Sequence, residues 1–244
     1  MDQGIRAVWY DLPEDQKDDY IDWLHGTYLP EILQRPGILW AAHYEVTGGG
    51  KHMDVIADHL ARVDLEEVGK GKDYVLLVGA GSPHVFFKPI YEEMDAENPK
   101  TQKMLAIRLE ERINVFTEEA RVNGPDFDTR IHDSTPGPAI QMGSFCTMEL
   151  ENEWDLAAWY AQYRMPAMAR MPGSINTRKM VSVAGWAKHS VMYEFTSLDA
   201  RQEHFQNHES LAMDKTVWTN KIINYTIHAP GSPSVGRRIW PEVK

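Results

Sequence analysis

Basic residues are in deficit in this chain. Of its 244 residues, 25 are Lys or Arg and 36 are Asp or Glu, a formal net charge of −11. A surface that grips nucleic acid must neutralise phosphates with clustered cations, and one that seeks anionic lipid needs the same, so neither is expected as a partner. Cysteine is nearly absent: Cys146 is the one thiol and cannot close an internal disulfide, which predicts a reducing, cytoplasmic setting. No run of about 18 apolar residues occurs, so no membrane-spanning helix is expected. The opening Met1-Asp2-Gln3-Gly4-Ile5 lacks the basic and apolar regions of a signal peptide. Cofactor fingerprints are missing as well. Gly48-Gly49-Gly50 does not have the spacing of a phosphate loop or a dinucleotide motif, and no HExxH occurs. His204 and His208 could bite a metal from one helix, but the sequence places no third ligand, so neither metal nor cofactor is expected.

What the chain has in quantity is aromatic side chains, eight Trp and ten Tyr, in a sequence that is 43% hydrophobic. It also has a repeat. Trp23-Leu24-His25-Gly26-Thr27-Tyr28-Leu29-Pro30 leads to Pro36-Gly37, and Trp159-Tyr160-Ala161-Gln162-Tyr163-Arg164-Met165-Pro166 leads to Pro172-Gly173, the pattern W-x6-P-x5-P-G at a constant offset of 136. Internal repeats govern how the rest of a chain is read. Each proline falls inside a helical stretch, where it removes one backbone hydrogen bond and presses on the carbonyl four residues earlier. A bend is therefore expected at both places, with Gly26 beside the first. The Pro-Gly pairs then stop the helix and turn the chain into a strand.

Around these helices the periodicity gives two similar runs. The first comprises a strand over Gly4–Asp11, a helix over about 14–35, strands over Ile38–Val46 and Asp73–Gly79, helical sequence broken near Asn98-Pro99-Lys100, and a strand over Arg112–Ala120. The second comprises a strand over 139–150, helix 154–171, strands 174–183 and 188–196, helix 199–214 and strand 221–228. Residues 1–122 thus form a first module, 123–138 a turn-rich linker, 139–228 a second module and 229–244 a tail too rich in Pro and Gly to be regular. Residues 47–72, with an amphipathic helix over Met53–Val68, are an insertion in the first module alone, and a glycine-hinged insertion of this kind is a lid candidate. The predicted class is α+β: two tandem β-α-β-β-α-β ferredoxin-like modules, each covering the other's bare sheet face.

The helix motif and the doubled strand–helix order resemble the dimeric α/β-barrel superfamily in its tandem single-chain form, across about residues 4–228. The nearest look-alike is bacterial chalcone isomerase, in which a catalytic histidine precedes an Ile-Pro-Asp segment of the first helix. The matching stretch is Tyr28-Leu29-Pro30-Glu31, so Tyr28 stands where that histidine would be, with His25 one turn earlier. The resemblance also brings cofactor-free monooxygenases and haem enzymes into view, and for the latter His208 is the axial candidate.

His25 and Tyr28 lie three apart on one helical face, an acid/base group beside a hydrogen-bond donor. They are the candidate catalytic pair. At the matching positions the second copy has Ala161 and Arg164, and a guanidinium suits a carboxylate or phenolate substrate. Trp9 or Tyr10, with Trp40, Tyr44 and Tyr193, at inward strand positions, are candidate pocket walls and otherwise plain core. Together these residues predict a cofactor-independent enzyme that moves protons on a small aromatic or phenolic compound, as a lyase such as a decarboxylase, an isomerase or a cyclase. The alternatives are a cofactor-free monooxygenase or haem enzyme of the same fold, and a non-catalytic small-molecule-binding protein. The sequence is compatible with a monomer or a homodimer.

Overall fold

The computed structural model describes residues 2–48, 59–87, 90–129, 134–205 and 217–243. Ten strands are described: β1 Gly4–Asp11, β2 Ile38–Val46, β3 Ala61–Arg62, β4 Tyr74–Ala80, β5 Leu109–Asn123, β6 Ala139–Thr147, β7 Ser174–Ala184, β8 His189–Phe195, β9 Thr226–His228 and β10 Ser234–Trp240. Eight close into an antiparallel barrel in the order β10-β2-β4-β1-β5-β7-β8-β6, with β6 pairing back to β10. Up to residue 123 the order is β2-β4-β1-β5, and from residue 139 it is β7-β8-β6-β9, the same arrangement of first, second, third and fourth strands. β5 and β7 join the two halves directly. On the far side β10 supplies the join, pairing with β2 along one edge and β6 along the other.

The tail is therefore a strand where irregular backbone is expected from its composition. Pro233 and Pro241 stand just outside Ser234–Trp240, where no ladder hydrogen bond is asked of them. Gly236 lets β10 press against β2, since a Cβ there would meet the Glu45 carbonyl at 2.8 Å. A second correction falls on 221–228, where Trp218–Tyr225 is helix and only Thr226–His228 is strand. Within the insertion, 49–58 lie outside the described residues, and 59–68 hold the short strand β3, paired parallel to β9, rather than helix. The last part of the expected helix 199–214 also lies outside them, as does His208.

Helices cover the outside of the barrel. On the first half lie α1 (17–32), α2 (Ile90–Ala96) and α3 (Pro99–Leu105); on the second lie α4 (150–168), α5 (198–205) and α6 (Trp218–Tyr225). The repeated motif forms α1 and α4, and the prolines are accommodated by a widened turn in each. Leu24–Tyr28 and Tyr160–Arg164 are π-helical: the Leu29 amide donates to the Leu24 carbonyl and the Met165 amide to the Tyr160 carbonyl, five residues back. The wide turn passes the residue whose i+4 partner would be the missing proline N–H, so the helix continues through Pro30 and Pro166. Gly37 and Gly173, at φ +83° and +78°, then turn the chain into β2 and β7.

Alternation along the strands divides the core. Trp9, Trp40, Tyr44, Phe116, Met142, Met180 and Met192 fill the barrel, while Val8, Tyr10 and Leu76 meet the helices of the first half, and Phe145, Val191 and Tyr193 those of the second. At one place in the barrel wall the charge is concentrated and paired. Asp2, fully buried, receives Arg178 at 2.6 Å and Arg121 at 2.7 Å, and Trp40 Nε1 donates to it at 2.7 Å. Burial works against the Asp2 charge, but the two guanidinium groups outweigh it and hold the carboxyl well below the usual range.

Candidate functional site

A cavity of about 600 Å³, mouth included, opens between α4 and the sheet of the second half. Strand register explains why it lies there. Across the first half, His43, Leu76 and Val8 stand in one row of β2, β4 and β1; across the second, Lys179, Val191 and Gly143 stand in the matching row of β7, β8 and β6. The first row is capped by Val8 and the second by Gly143, which has no side chain to fill the space below α4. One strand position further, Tyr10 occupies the first half and Phe145 the second, so the first half is also packed by a phenol with polar partners.

The floor of the cavity is Gln141, Gly143 and Phe145 of β6 with Val191 and Tyr193 of β8. Its roof is Trp159, Tyr160 and Arg164, and the last two are the first and final residues of the π-turn. The widened turn thus sets the spacing of roof and floor. Ile222, Ile223 and Thr219 of α6 close one side, and Leu60, from the inserted segment of the first half, reaches the same rim. Arg62, two residues on, is tied to the Ser232 carbonyl at 2.7 Å. Apolar walls with few polar groups are the usual make-up of a small-molecule site.

Arg164 is 1% exposed. Its guanidinium lies 4.7 Å from the Trp159 ring, 5.1 Å from Phe205 and 5.7 Å from Tyr193. A cation held over aromatic faces, away from bulk water, raises the affinity of the site for an anionic group. Arg164 and Tyr193 are the two sequence candidates that the fold brings together.

The other candidates lie elsewhere. Tyr28, at the position matching Arg164, donates to Asp95 at 2.9 Å, and Arg35 holds the same carboxylate at 2.5 Å; its ring stacks on Trp23 at 5.1 Å. Burial raises its phenol pKa well above the ordinary value. Tyr28 does not meet His25. His25 turns instead to His43, with Nε2 and Nδ1 2.7 Å apart, and His43 Nε2 lies 2.8 Å from the Tyr10 hydroxyl. Burial lowers both histidines, His43 well below the usual value, with the His25 charge as a second cause. Trp9, Trp40 and Tyr44 lie inside the barrel, bonded to Ser234, Asp2 and the Gly137 carbonyl. His43 escapes sequence reading because it sits in an ordinary alternating strand, and Tyr10, the alternative to Trp9 as a pocket wall, packs under the helices of the first half instead; only the fold brings the two to His25.

His228 also lines the cavity, and its bonding bears on haem. The Thr226 hydroxyl donates to the Ile222 carbonyl at 3.0 Å, so it accepts from His228 Nε2, 3.2 Å away. Ser232 Oγ accepts from the Ser144 amide at 2.9 Å and donates to His228 Nδ1 at 3.3 Å. This assignment leaves no ring lone pair for an axial bond. His228 does not fit as a haem ligand. Among the described residues no cluster of three His, Cys, Asp or Glu could hold a metal ion, and no helix is long and apolar enough to cross a membrane.

No protein-family model matches the chain, and no curated protein does. Solved structures do. A provisionally assigned monooxygenase from Fusobacterium nucleatum subsp. nucleatum matches with a TM-score of 0.57 at 9% identity, over 98% of this chain and 93% of its own. An anthrone oxidase-like protein matches with 0.53 at 11% identity, over 98% and 91%. A provisionally assigned monooxygenase from Lactobacillus acidophilus matches with 0.51 at 9%, over 98% and 94%. The chain has the dimeric α+β-barrel fold. At these identities the likeness establishes fold alone. It nevertheless corrects the expected lyase, isomerase or cyclase: the matched structures carry oxidative names, none of these three supports the chalcone isomerase likeness, and the acid/base pair on which that expectation stood is not assembled.

Proposed function

We propose that this protein oxygenates a small electron-rich phenolic compound, bound as its phenolate in the cavity under α4. The observation that carries the reading is Arg164, a buried cation set among the aromatic walls of the cavity. The matched structures named monooxygenase and anthrone oxidase-like support the direction of the chemistry.

The reaction in view takes an activated ring methylene and one molecule of dioxygen to a ring carbonyl and one molecule of water. Arg164 stabilises the substrate anion formed when the methylene or its phenol tautomer loses a proton. That anion gives one electron to dioxygen, leaving a carbon-centred radical beside superoxide. The two combine to form the C–O bond of a peroxide, which takes up a proton. Loss of the remaining carbon-bound proton then breaks the O–O bond, expelling water and leaving the carbonyl. The substrate is its own reductant. The apolar walls exclude water from the radical pair.

The repeated strand order supports reading the halves as two copies of one module, of which the second carries the cavity. We read the inserted segment, which reaches the rim through Leu60, as its cover. Oxygen uptake by the purified full chain with a panel of anthrones and related phenolic methylene compounds tests the proposal. Arg164→Met should lower kcat/KM by about 100-fold, the usual cost of losing a charge-stabilising group. Binding of every panel member without oxygen uptake, or equal rates in Arg164→Met, would refute it.

A further inference from the structure

Opposite the cavity, beneath α1, a set of polar aromatic groups forms a continuous buried chain that the oxygenation chemistry does not use. His25 is half-buried and marks its outer end. His43, fully buried, bridges His25 and Tyr10, with contacts of 2.7 and 2.8 Å to its two ring nitrogens. Around Tyr10 the rings are in close succession: Tyr74 at 5.6 Å, Tyr20 at 5.8 Å, then Trp23 at 5.6 Å from Tyr20 and Tyr28 at 5.1 Å from Trp23. We propose that Tyr10 is a redox-active tyrosine whose phenol proton is carried through His43 to His25 when a one-electron oxidant, such as an aryloxyl or peroxyl radical, takes its electron.

The balance is simple. Tyr10 loses one electron to the oxidant and its O–H proton to His43 Nε2. His43 passes the proton on its Nδ1 to His25 Nε2, so His43 stays neutral and the positive charge ends on the half-buried histidine. A neutral tyrosyl radical remains. This outcome matters because a charge stranded on fully buried His43 would meet a large desolvation cost, whereas His25 reaches solvent. Moving two protons by one bond each avoids that cost.

Tyr20 and Tyr28 meet groups of another kind. Tyr20 accepts a hydrogen bond from Arg108 Nε at 2.6 Å, a permanent cation with no capacity to take its proton. Tyr28 donates to Asp95, a carboxylate that also holds Arg35 at 2.5 Å and belongs to no chain of imidazoles. Of Tyr10, Tyr20 and Tyr28, Tyr10 is the one whose hydroxyl meets an imidazole nitrogen, so a hole that reaches it finds a proton acceptor in place. The inference is independent of the proposed oxygenation, because its test supplies its own oxidant.

That test is flash oxidation of the full chain by photogenerated tris(bipyridine)ruthenium(III), followed by freeze-quench electron paramagnetic resonance. Wild type should give a persistent tyrosyl signal. Tyr10→Phe should reduce it about tenfold, and His43→Gln should do the same with the Tyr10 hydroxyl kept in place, as expected for losing a hydrogen-bonded proton acceptor. His25→Gln, a change at a half-exposed position that leaves the buried packing intact, should shorten the radical's lifetime severalfold while the melting temperature stays near wild type. Tyr74→Phe should leave the signal unchanged. A wild-type signal in Tyr10→Phe, or signals insensitive to both histidine substitutions, would overturn the proposal.

Discussion

Val8 and Gly143 occupy matching places beneath α1 and α4, and the missing side chain at Gly143 helps to open the cavity beneath α4. A Cβ at Gly143 would find Val191 at 3.5 Å and Phe145 at 3.8 Å, ordinary contact distances. Gly143→Val should therefore fold, change stability by less than about 1 kcal/mol, and abolish measurable binding of aromatic ligands by isothermal calorimetry. Undiminished affinity in that variant would place the ligand elsewhere. Asp2 makes the opposite kind of prediction. Asp2→Asn leaves Arg178 buried beside a neutral amide and should cost about 3–5 kcal/mol in chemical denaturation. Because its folded carboxyl is held below the ordinary value of 3.8, the stabilisation is complete above that pH and is lost as pH falls further. His228 acts earlier in an acid titration. Burial lowers it from 6.5 to about 3, so below pH 6.5 the unfolded chain binds a proton that the folded one refuses. Stability should fall from there by roughly 1 kcal/mol per pH unit, and a melting temperature flat between pH 6.5 and 4 would contradict the assignment. At this scale the sequence made Arg164 and Tyr193 legible, because a guanidinium on an apolar helical face is conspicuous. His43 and Asp2 were not, since their partners lie 18 and 176 residues away.

The π-turns are the elements on which the site depends. Proline deletes one amide hydrogen bond, the helix answers by widening, and in α4 the widened turn carries Tyr160 and Arg164 over the cavity. Pro166→Ala restores the donor and permits regular helix. It should hold or raise thermal stability while weakening ligand binding at least severalfold, by an amount that calorimetry on both proteins can compare. The sequence announced a bend at Pro30 and Pro166 but not its form, because a kink and a π-turn answer the same missing hydrogen bond. Strand β10 was hidden for a different reason. Its prolines read as breakers, yet they flank the strand, and its pairing with β2 and β6 is non-local and leaves no periodic trace. Helix α6 was misread because Ile222, Ile223 and Tyr225 form a short apolar run that suits either helix or strand. Deleting 234–244 should unzip the barrel along β2 and β6, exposing two edges; size-exclusion chromatography should then show aggregation in place of the wild-type peak.

For the molecule as a whole, a barrel of repeated strand order carries different chemistry on its two outer faces. Under α4 lies an apolar cavity lined by the buried cation of Arg164; under α1 lies a packed set of phenols and histidines. The α+β class and most of the strands were readable from the periodicity, whereas the contrast between the two faces was not, because it rests on which side chains meet across the sheet. Charge and composition set the outer limits, an acidic chain with no affinity for polyanions expected, and the cavity supplies the rest. On the proposed function, dioxygen is consumed and one of its atoms is placed on a phenolic ligand. Turnover under oxygen-18 gas, with the product read by mass spectrometry, is the decisive measurement: wild type should place one heavy oxygen in the new carbonyl and Gly143→Val should form no product, whereas product formed without dioxygen, or carrying oxygen drawn from water as it forms, would refute the oxygenation.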